Sequence, residues 1–274
     1  MKKVVLVFGG TRFSESTFQF ARRLNKLQPI LLIGVFLPDV VYADIYSFGS
    51  GLPASYLSPV MDVSDAKIMR ENINRFTQLC LQNSIACRVH EELDGLVLPE
   101  LKRETRFADL LLVSNEKFYD NLLFNNANPS MTEVLHAAEC PVVVVPENGH
   151  FPECNILAYD GSEDSVFAIR QFAYLFPELC GNETILVYVK EDLRPGFPDE
   201  TNIEELVTQH FKDLSLLKLH LNPRKYFKAW LHERKNAILI GGSYGRSPAS
   251  ELFRKSFMAE VLAEHRMPVF IAHR

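Results

Sequence analysis

The chain contains the stretch Pro141-Val142-Val143-Val144-Val145, which follows Glu133-Val134-Leu135 after a short gap. The same arrangement returns near the end of the chain as Glu260-Val261-Leu262 and then Pro268-Val269-Phe270-Ile271-Ala272. Each copy is typical of a helix followed by a proline and a short apolar strand. The two prolines are 127 positions apart, far longer than the repeat of a solenoid. The repeat therefore predicts two copies of one domain.

Length and composition agree with two domains. The chain has 274 residues, of which 47% are hydrophobic, enough for two domains that each bury a core. Turn-forming residues cluster between the two copies, at Pro146, Asn148, Gly149 and Pro152. Such a cluster is typical of a linker. We therefore predict one domain at 1–147 and a second at 153–274.

Each half contains five apolar strands separated by helices. The predicted strands are Val4–Phe8, Ile30–Phe36, Cys87–Leu93, Asp109–Val113, Val142–Val145, Ile156–Tyr159, Thr184–Val189, Leu217–Leu221, Ala237–Ile240 and Val269–Ala272. The predicted helices are Glu15–Leu27, Asp65–Asn83, Leu98–Phe107, Thr132–Ala138, Asp164–Phe176, Ile203–Leu214, Arg224–Glu233 and Ser256–His265. Strands that are apolar throughout indicate a parallel sheet covered by helices on both faces. The predicted fold class is α/β, with two doubly wound, Rossmann-like parallel sheets. Between Pro38 and Val63 we expect a loop that either packs between the domains or contacts a partner.

Composition also excludes several classes of function. The net charge is -5, whereas a protein that binds nucleic acid normally carries a basic excess. No apolar run reaches the ~18–20 residues that a membrane span requires. The five cysteines form no Cys-x-x-Cys pair, so we expect reduced, mostly buried thiols and a cytoplasmic protein.

A glycine-rich turn follows the strand Ala237–Ile240. It reads Gly241-Gly242-Ser243-Tyr244-Gly245-Arg246, and Lys255-Ser256 opens the last predicted helix. Glycines allow backbone N–H groups to approach an anion closely, and a helix N-terminus adds unpaired donors. Arg246 and Lys255 could add charge-assisted bonds to a phosphate. The alternative is a structural turn in which Ser256 is the helix N-cap.

The spacing Gly242-x2-Gly245-x9-Lys255-Ser256 resembles the phosphate-binding motif of the universal stress protein family, Gly-x2-Gly-x9-Gly-Ser/Thr. One position departs from that motif, because Lys255 stands where the family has its third glycine. The lysine either obstructs the loop or supplements phosphate binding. The resemblance covers both halves of the chain, with the specific motif confined to the second. It implies an adenine nucleotide hydrolase-like fold, ATP binding in some members, and pairing of domains through their last strands.

The resemblance also implies which residues hold the nucleotide. Asp160 follows the first strand of the second half, where the family has an aspartate that contacts the nucleoside, although an aspartate at such a turn is often only a cap. The predicted cofactor-binding residues are Ala158, Asp160, Val189, Gly242, Gly245, Arg246, Lys255, Ser256 and Phe257. The predicted cofactor is ATP or a related adenine nucleotide, with no metal apart from the magnesium that accompanies it. We predict no catalytic residue.

The first half has lost these residues. Gly9 takes the place of Asp160, and Ser114-Asn115-Glu116-Lys117-Phe118 contains no glycine. Asn128 and Pro129 stand where the 127-residue offset places Lys255 and Ser256. Proline has no backbone N–H to offer a phosphate. We therefore predict a single nucleotide site, in the second half.

Motifs of several enzyme classes are absent from the sequence. It has no Walker A motif, no Gly-x-Gly-x-x-Gly, no Gly-x-Ser-x-Gly elbow and no His-Glu-x-x-His. Two functions stay open. The chain is either a nucleotide-binding stress or signalling protein, or a scaffold that binds a protein partner or another small ligand. We expect the two halves to pair through Val142–Val145 and Val269–Ala272. Whether two chains then associate into a homodimer stays open.

Overall fold

A computed structural model describes residues 1–9, 11–37, 41–44, 57–60, 63–91, 97–114, 131–188, 196–218, 230–231, 233–234, 236–242 and 267–273. The strands are β1 (Lys2–Gly9), β2 (Ile30–Leu37), β3 (Val41–Asp44), β4 (Leu57–Val60), β5 (Ala86–Glu91), β6 (Leu110–Ser114), β7 (Val142–Val145), β8 (Cys154–Tyr159), β9 (Glu183–Tyr188), β10 (Asp213–Lys218), β11 (Ala237–Gly242) and β12 (Val269–Ala272). The α-helices in these ranges are α1 (Glu15–Leu27), α2 (Val63–Gln82), α3 (Val97–Arg106), α4 (Met131–Ala137), α5 (Glu163–Leu175) and α6 (Glu200–His210).

Ten of these strands form one sheet in the order β10-β9-β8-β11-β12-β7-β6-β1-β2-β5. From the centre outward, the order is β7-β6-β1-β2-β5 in the first half and β12-β11-β8-β9-β10 in the second. When the five strands of each half are numbered along the chain, both orders read 5-4-1-2-3. Counted from the edge inward, this is the order 3-2-1-4-5 of the first five strands of a Rossmann-type sheet. Nine of the ten predicted strands overlap closely with observed strands of this sheet, and the tenth overlaps only at its start. The α/β, doubly wound fold class is confirmed.

The pairing at the centre of the sheet differs from all the others. β7 and β12 run antiparallel, with Val144 opposite Val269 and Val142 opposite Ile271, whereas the other pairs in the ten-stranded sheet are parallel. Since the direction reverses here, the carboxyl ends of the strands point to opposite edges of the sheet in the two halves. A site at the carboxyl edge of one half is therefore remote from its counterpart in the other.

Both faces of the sheet are buried under helices, and each buried layer continues across β7 and β12. On one face, Phe270 of β12 packs edge-on against Phe172 of α5, with ring centroids 5.3 Å apart. The same layer contains Phe20 of α1, whose ring lies 5.0 Å from that of Phe151 in the segment between β7 and β8. Burial of apolar surface therefore stabilises the centre of the sheet as well as each half.

Local sequence explains where the helices lie. On α1, the buried residues Thr17, Phe18, Ala21 and Leu24 follow the spacing of one helical face. At the start of α5, the Ser162 hydroxyl accepts a hydrogen bond from the Ser165 N–H at 3.2 Å, as an N-cap should.

Two predictions about secondary structure are wrong. The segment Pro38–Val63 is not only a loop, because it contains β3 and β4, which pair as antiparallel strands. The helix predicted at Ile203–Leu214 ends at His210, where Phe211 adopts an extended conformation, and β10 then begins at Asp213 rather than Leu217. The cause lies in Phe211, whose side chain is buried with the core and directs the chain back towards the sheet. The helix predicted at Ser256–His265 lies outside the described residues.

The five cysteines are free thiols, and four of them are buried, which agrees with the prediction. Burial raises the pKa of Cys140 to about 12 and those of Cys154 and Cys180 to about 11. These thiols therefore stay protonated at neutral pH and are poor nucleophiles. No described helix is both long enough and apolar enough to cross a membrane.

Candidate functional site

The candidate site lies at the carboxyl ends of β8 and β11. These neighbouring strands are paired from Ala237 to Ile240, yet β8 connects to β9 on one side and β11 pairs with β12 on the other. Such a reversal of strand order opens a crevice in which doubly wound proteins bind ligands. Asp160 directly follows β8, and Gly242 is the last residue of β11. The structure thus places both predicted residues at the ends of adjacent strands.

Gly242 lies against the backbone of the first turn of α5. A Cβ atom added to it would lie 2.6 Å from the carbonyl carbon of Asp164 and 2.7 Å from the amide nitrogen of Ser165. Both separations are far shorter than a van der Waals contact, so only glycine fits this position without a shift of the backbone. The end of β11 and the N-terminus of α5, where helix N–H groups concentrate positive potential, are therefore held together.

The Asp160 carboxylate organises the turn between β8 and α5. Its Oδ1 accepts hydrogen bonds from the Ser162 N–H at 3.0 Å and from the Ser162 hydroxyl at 2.6 Å. Ser162 in turn caps α5. Gly161 has φ +79°, and a Cβ there would lie 2.9 Å from the Pro198 ring. Asp160 thus makes the bonds of a turn cap, as the alternative interpretation of this residue expects.

A segment that sequence reasoning missed forms one wall beside this turn. The Tyr159 hydroxyl donates a 2.7 Å hydrogen bond to the Pro198 carbonyl, and Phe197 packs edge-on against Tyr188 with ring centroids 5.8 Å apart. Burial, with the nearby carboxylates of Asp199 and Asp160, raises the pKa of Tyr159. The hydroxyl therefore remains a donor at neutral pH. The only hint in the sequence is the pair of prolines that flank Gly196 and Phe197.

Three of the nine predicted binding residues belong to the described part of the chain. Ala158 is half-buried in β8 opposite Val187, and Asp160 and Gly242 lie as given above. The other six, which include the predicted phosphate-binding residues, lie outside the described residues: Val189, Gly245, Arg246, Lys255, Ser256 and Phe257. Among the residues that are described, no group of three His, Cys, Asp or Glu side chains could hold a metal ion.

Strand register identifies the counterparts of these residues in the first half. Val5 of β1 lies opposite Leu111, as Ile156 of β8 lies opposite Leu239. Counting along the strands from these pairs places Gly9 at the position of Asp160 and Ser114 at the position of Gly242. The first half therefore lacks both the carboxylate and the glycine, as the sequence comparison of the halves predicts.

Aromatic rings occupy the region that follows β1. Phe13 stacks on Phe8 with ring centroids 4.7 Å apart. The Arg75 guanidinium lies over the Phe13 ring, 4.4 Å from its centroid, and pairs with Glu15 at 2.7 Å. Where the second half has a hydrogen-bonded carboxylate turn, the first half thus has a packed aromatic cluster.

Comparison with known proteins gives one informative result. No protein-family model matches the sequence, and no curated protein matches it. Among solved structures, the chain is similar to a universal stress protein from Archaeoglobus fulgidus DSM 4304, with a TM-score of 0.70 and 15% sequence identity. The similarity covers 100% of this chain and 96% of that one. The two proteins therefore share a fold over their whole length.

Proposed function

We propose that this chain is a stress-response protein of the universal stress protein type, which binds one ATP or related adenine nucleotide and does not catalyse a reaction. The nucleotide would occupy the crevice at the carboxyl ends of β8 and β11. One observation carries the proposal: Gly242 brings the end of β11 into contact with the first turn of α5, immediately beside the Asp160 turn. A glycine, a helix N-terminus and a carboxylate at a topological switch point are the parts that nucleotide sites of this architecture use.

The chemistry of the turn suits the nucleoside end of such a ligand. A carboxylate has about four acceptor sites, so that Asp160 can retain its bonds from Ser162 and still accept bonds from ribose hydroxyls. The phosphates would extend towards the glycine-rich sequence after Gly242, where Gly245, Arg246 and Ser256 are the proposed contacts and Phe257 follows them. Ala158 and Val189 would flank the base, and Lys255 would lie beside the phosphates.

The proposal includes the organisation of the chain. Residues 1–147 and 153–274 would be two domains of the same fold. The antiparallel pair of β7 and β12 would join them as an interface joins two separate subunits. The shared strand order of the two halves and their reversed directions support this arrangement. We propose a cytoplasmic location, and further association of two chains into a homodimer is compatible with it.

Calorimetric titration of ATP and AMP into ligand-free protein tests the function. We expect saturation near one nucleotide per chain with a Kd below about 1 mM. Asp160→Ala should weaken binding by about 10- to 100-fold, because a hydrogen bond to a charged group contributes about 1.5–3 kcal/mol. The matched control is Asp109→Ala, which removes a carboxylate that accepts a 2.8 Å bond from the Lys3 N–H in the first half. The nucleotide affinity of Asp109→Ala should equal that of the wild type.

A second candidate function is a scaffold that binds a protein partner or another small ligand without any nucleotide. The bonds from Ser162 to Asp160 favour it, because they give this carboxylate a structural role in the absence of ligand. Absence of heat at millimolar ATP or AMP would overturn the nucleotide proposal and support the scaffold. Two nucleotides per chain would contradict the predicted loss of the first-half site.

A further inference from the structure

A cavity of about 580 Å³ lies between α1 and the segment 147–153 that joins the two halves. It is distinct from the candidate nucleotide site. Glu153 and Asn236, which line it, precede β8 and β11, so the cavity lies at the end of these strands opposite to Asp160 and Gly242. Its size is within the range of about 300–1,000 Å³ that is typical of small-molecule sites.

Opposite charges line two walls of this cavity. Arg22 and Arg23 come from α1, whereas Glu147 and Glu153 come from the joining segment. A third acidic residue at the cavity, Glu15, is already paired with Arg75 at 2.7 Å. Within the described residues, neither arginine forms an ion pair. The cavity therefore has a cationic wall and an anionic wall whose charges are not neutralised by each other.

Two polar atoms at this cavity lack hydrogen-bond partners in the described part of the chain. They are the Gln19 Oε1 and the Arg22 Nε, one turn apart on α1, and both are shielded from solvent. A buried donor or acceptor without a partner destabilises a protein. A ligand that allowed these side chains to turn towards it would remove that penalty. Gln19 would then offer an acceptor and Arg22 a donor, which suits a ligand that itself carries both.

The cavity also has an apolar part. The rings of Phe20 and Phe151 line it with centroids 5.0 Å apart. Phe20 belongs to the buried core, so its position is fixed by packing. Phe151 is only half-buried, so its ring could contact an apolar side chain of a bound molecule.

We propose that this cavity binds a small zwitterion of the α-amino-acid class. Arg22 and Arg23 would bind the carboxylate, and Glu147 with Glu153 would bind the ammonium group. Guanidinium–carboxylate pairs are among the strong hydrogen-bonded contacts in proteins, and a cavity lined by both charges favours a molecule that carries both. The site is separate from the proposed nucleotide site, so the protein could respond to its ligand and to the nucleotide independently.

The joining segment makes this site specific to the first half. Arg22 in α1 and Arg170 in α5 are each the eighth residue of a 13-residue helix. The segment 147–153, which provides the anionic wall at α1, occurs once in the chain. Arg170 instead lies over the Phe167 ring, 5.8 Å from its centroid, and is absent from the lining of the cavity. It is therefore a matched control.

Calorimetric titration of the twenty L-α-amino acids into the full chain, each to 10 mM, tests the proposal. We expect at least one amino acid to bind the wild type and Arg170→Gln equally. Arg22→Gln should weaken that binding by about 10-fold or more, the effect expected for a lost charged hydrogen bond. Glu147→Gln, which changes an exposed side chain and should leave the fold intact, should weaken it too. The N-acetylated form of the same amino acid, an anion without the ammonium group, should not bind.

Three outcomes would overturn the proposal. They are binding of none of the amino acids, binding that Arg22→Gln and Glu147→Gln leave unchanged, and equal binding of the N-acetylated form. ATP titration of the same variants should give wild-type affinity, so failure of this site is distinguishable from failure of the nucleotide site.

Discussion

Gly242→Ala should lower the free energy of unfolding by about 2–3 kcal/mol and weaken nucleotide binding. The added Cβ would lie 2.6–2.8 Å from three backbone atoms of Asp164 and Ser165. Backbone in the first turn of α5 yields only if the helix moves, and overpacking of this kind costs about 1–3 kcal/mol. For a chain of this size, the thermal midpoint should fall by roughly 4–10 °C. Differential scanning calorimetry measures this change.

Gly181→Ala is the matched control, because a Cβ at Gly181 meets no atom within 4 Å. It should leave stability unchanged or raise it by up to about 1 kcal/mol, since alanine restricts the unfolded chain more than glycine does. Equal stability of the two variants would show that β11 and α5 are not in close contact and would contradict the geometry of the candidate site.

Phe270→Ala should have the largest effect on stability, a loss of about 3–5 kcal/mol. Phe270 is 0% exposed and lies on β12 at the centre of the ten-stranded sheet. Its ring packs edge-on against Phe172 at 5.3 Å and Phe176 at 5.9 Å. Removing it leaves a cavity beside the strand that pairs with β7. Because proteins are typically stable by only about 5–15 kcal/mol, urea unfolding should show a large shift of the midpoint.

The control for this prediction is Phe107→Ala, which removes the same side chain from a position that is 68% exposed, just after α3. Its free energy of unfolding should differ from the wild type by less than about 0.5 kcal/mol. If Phe270→Ala were equally mild, the strand β12 would not lie at a buried junction between the halves.

The strands of the sheet could be predicted because most are apolar throughout, and β1, β2, β7 and β11 end at or directly before a glycine or proline. The prediction was weakest where the pattern was weakest. β10 lies at the sheet edge and has no fully buried residue. Phe211 and Leu214 continue the apolar spacing of Ile203 and Val207 in α6. Periodicity alone could not separate the two elements. β3 and β4 are four residues each, and Pro59 in β4 is a residue that strands usually exclude.

Prediction of the site followed the same physical limit. Asp160 and Gly242 could be found because each ends a strand and carries a local signal, a carboxylate at a turn or a glycine in a cluster. The wall at Phe197 and Pro198 and the cavity beside Arg22 could not be found this way. Both arise from residues far apart in the chain that meet only when the sheet forms. Arg22 in particular resembles any arginine on the polar face of a helix.

Photoaffinity labelling with 8-azido-ATP, followed by mapping of the labelled peptides, locates the proposed nucleotide site. Because the azido group is on the base, we expect label in the second half only, in peptides that contain the end of β8 or Val189. Excess ATP should prevent the labelling, and Asp160→Ala should reduce it. Label on peptides from β1 or β6 of the first half, or label that ATP does not displace, would contradict a single nucleotide site in the second half.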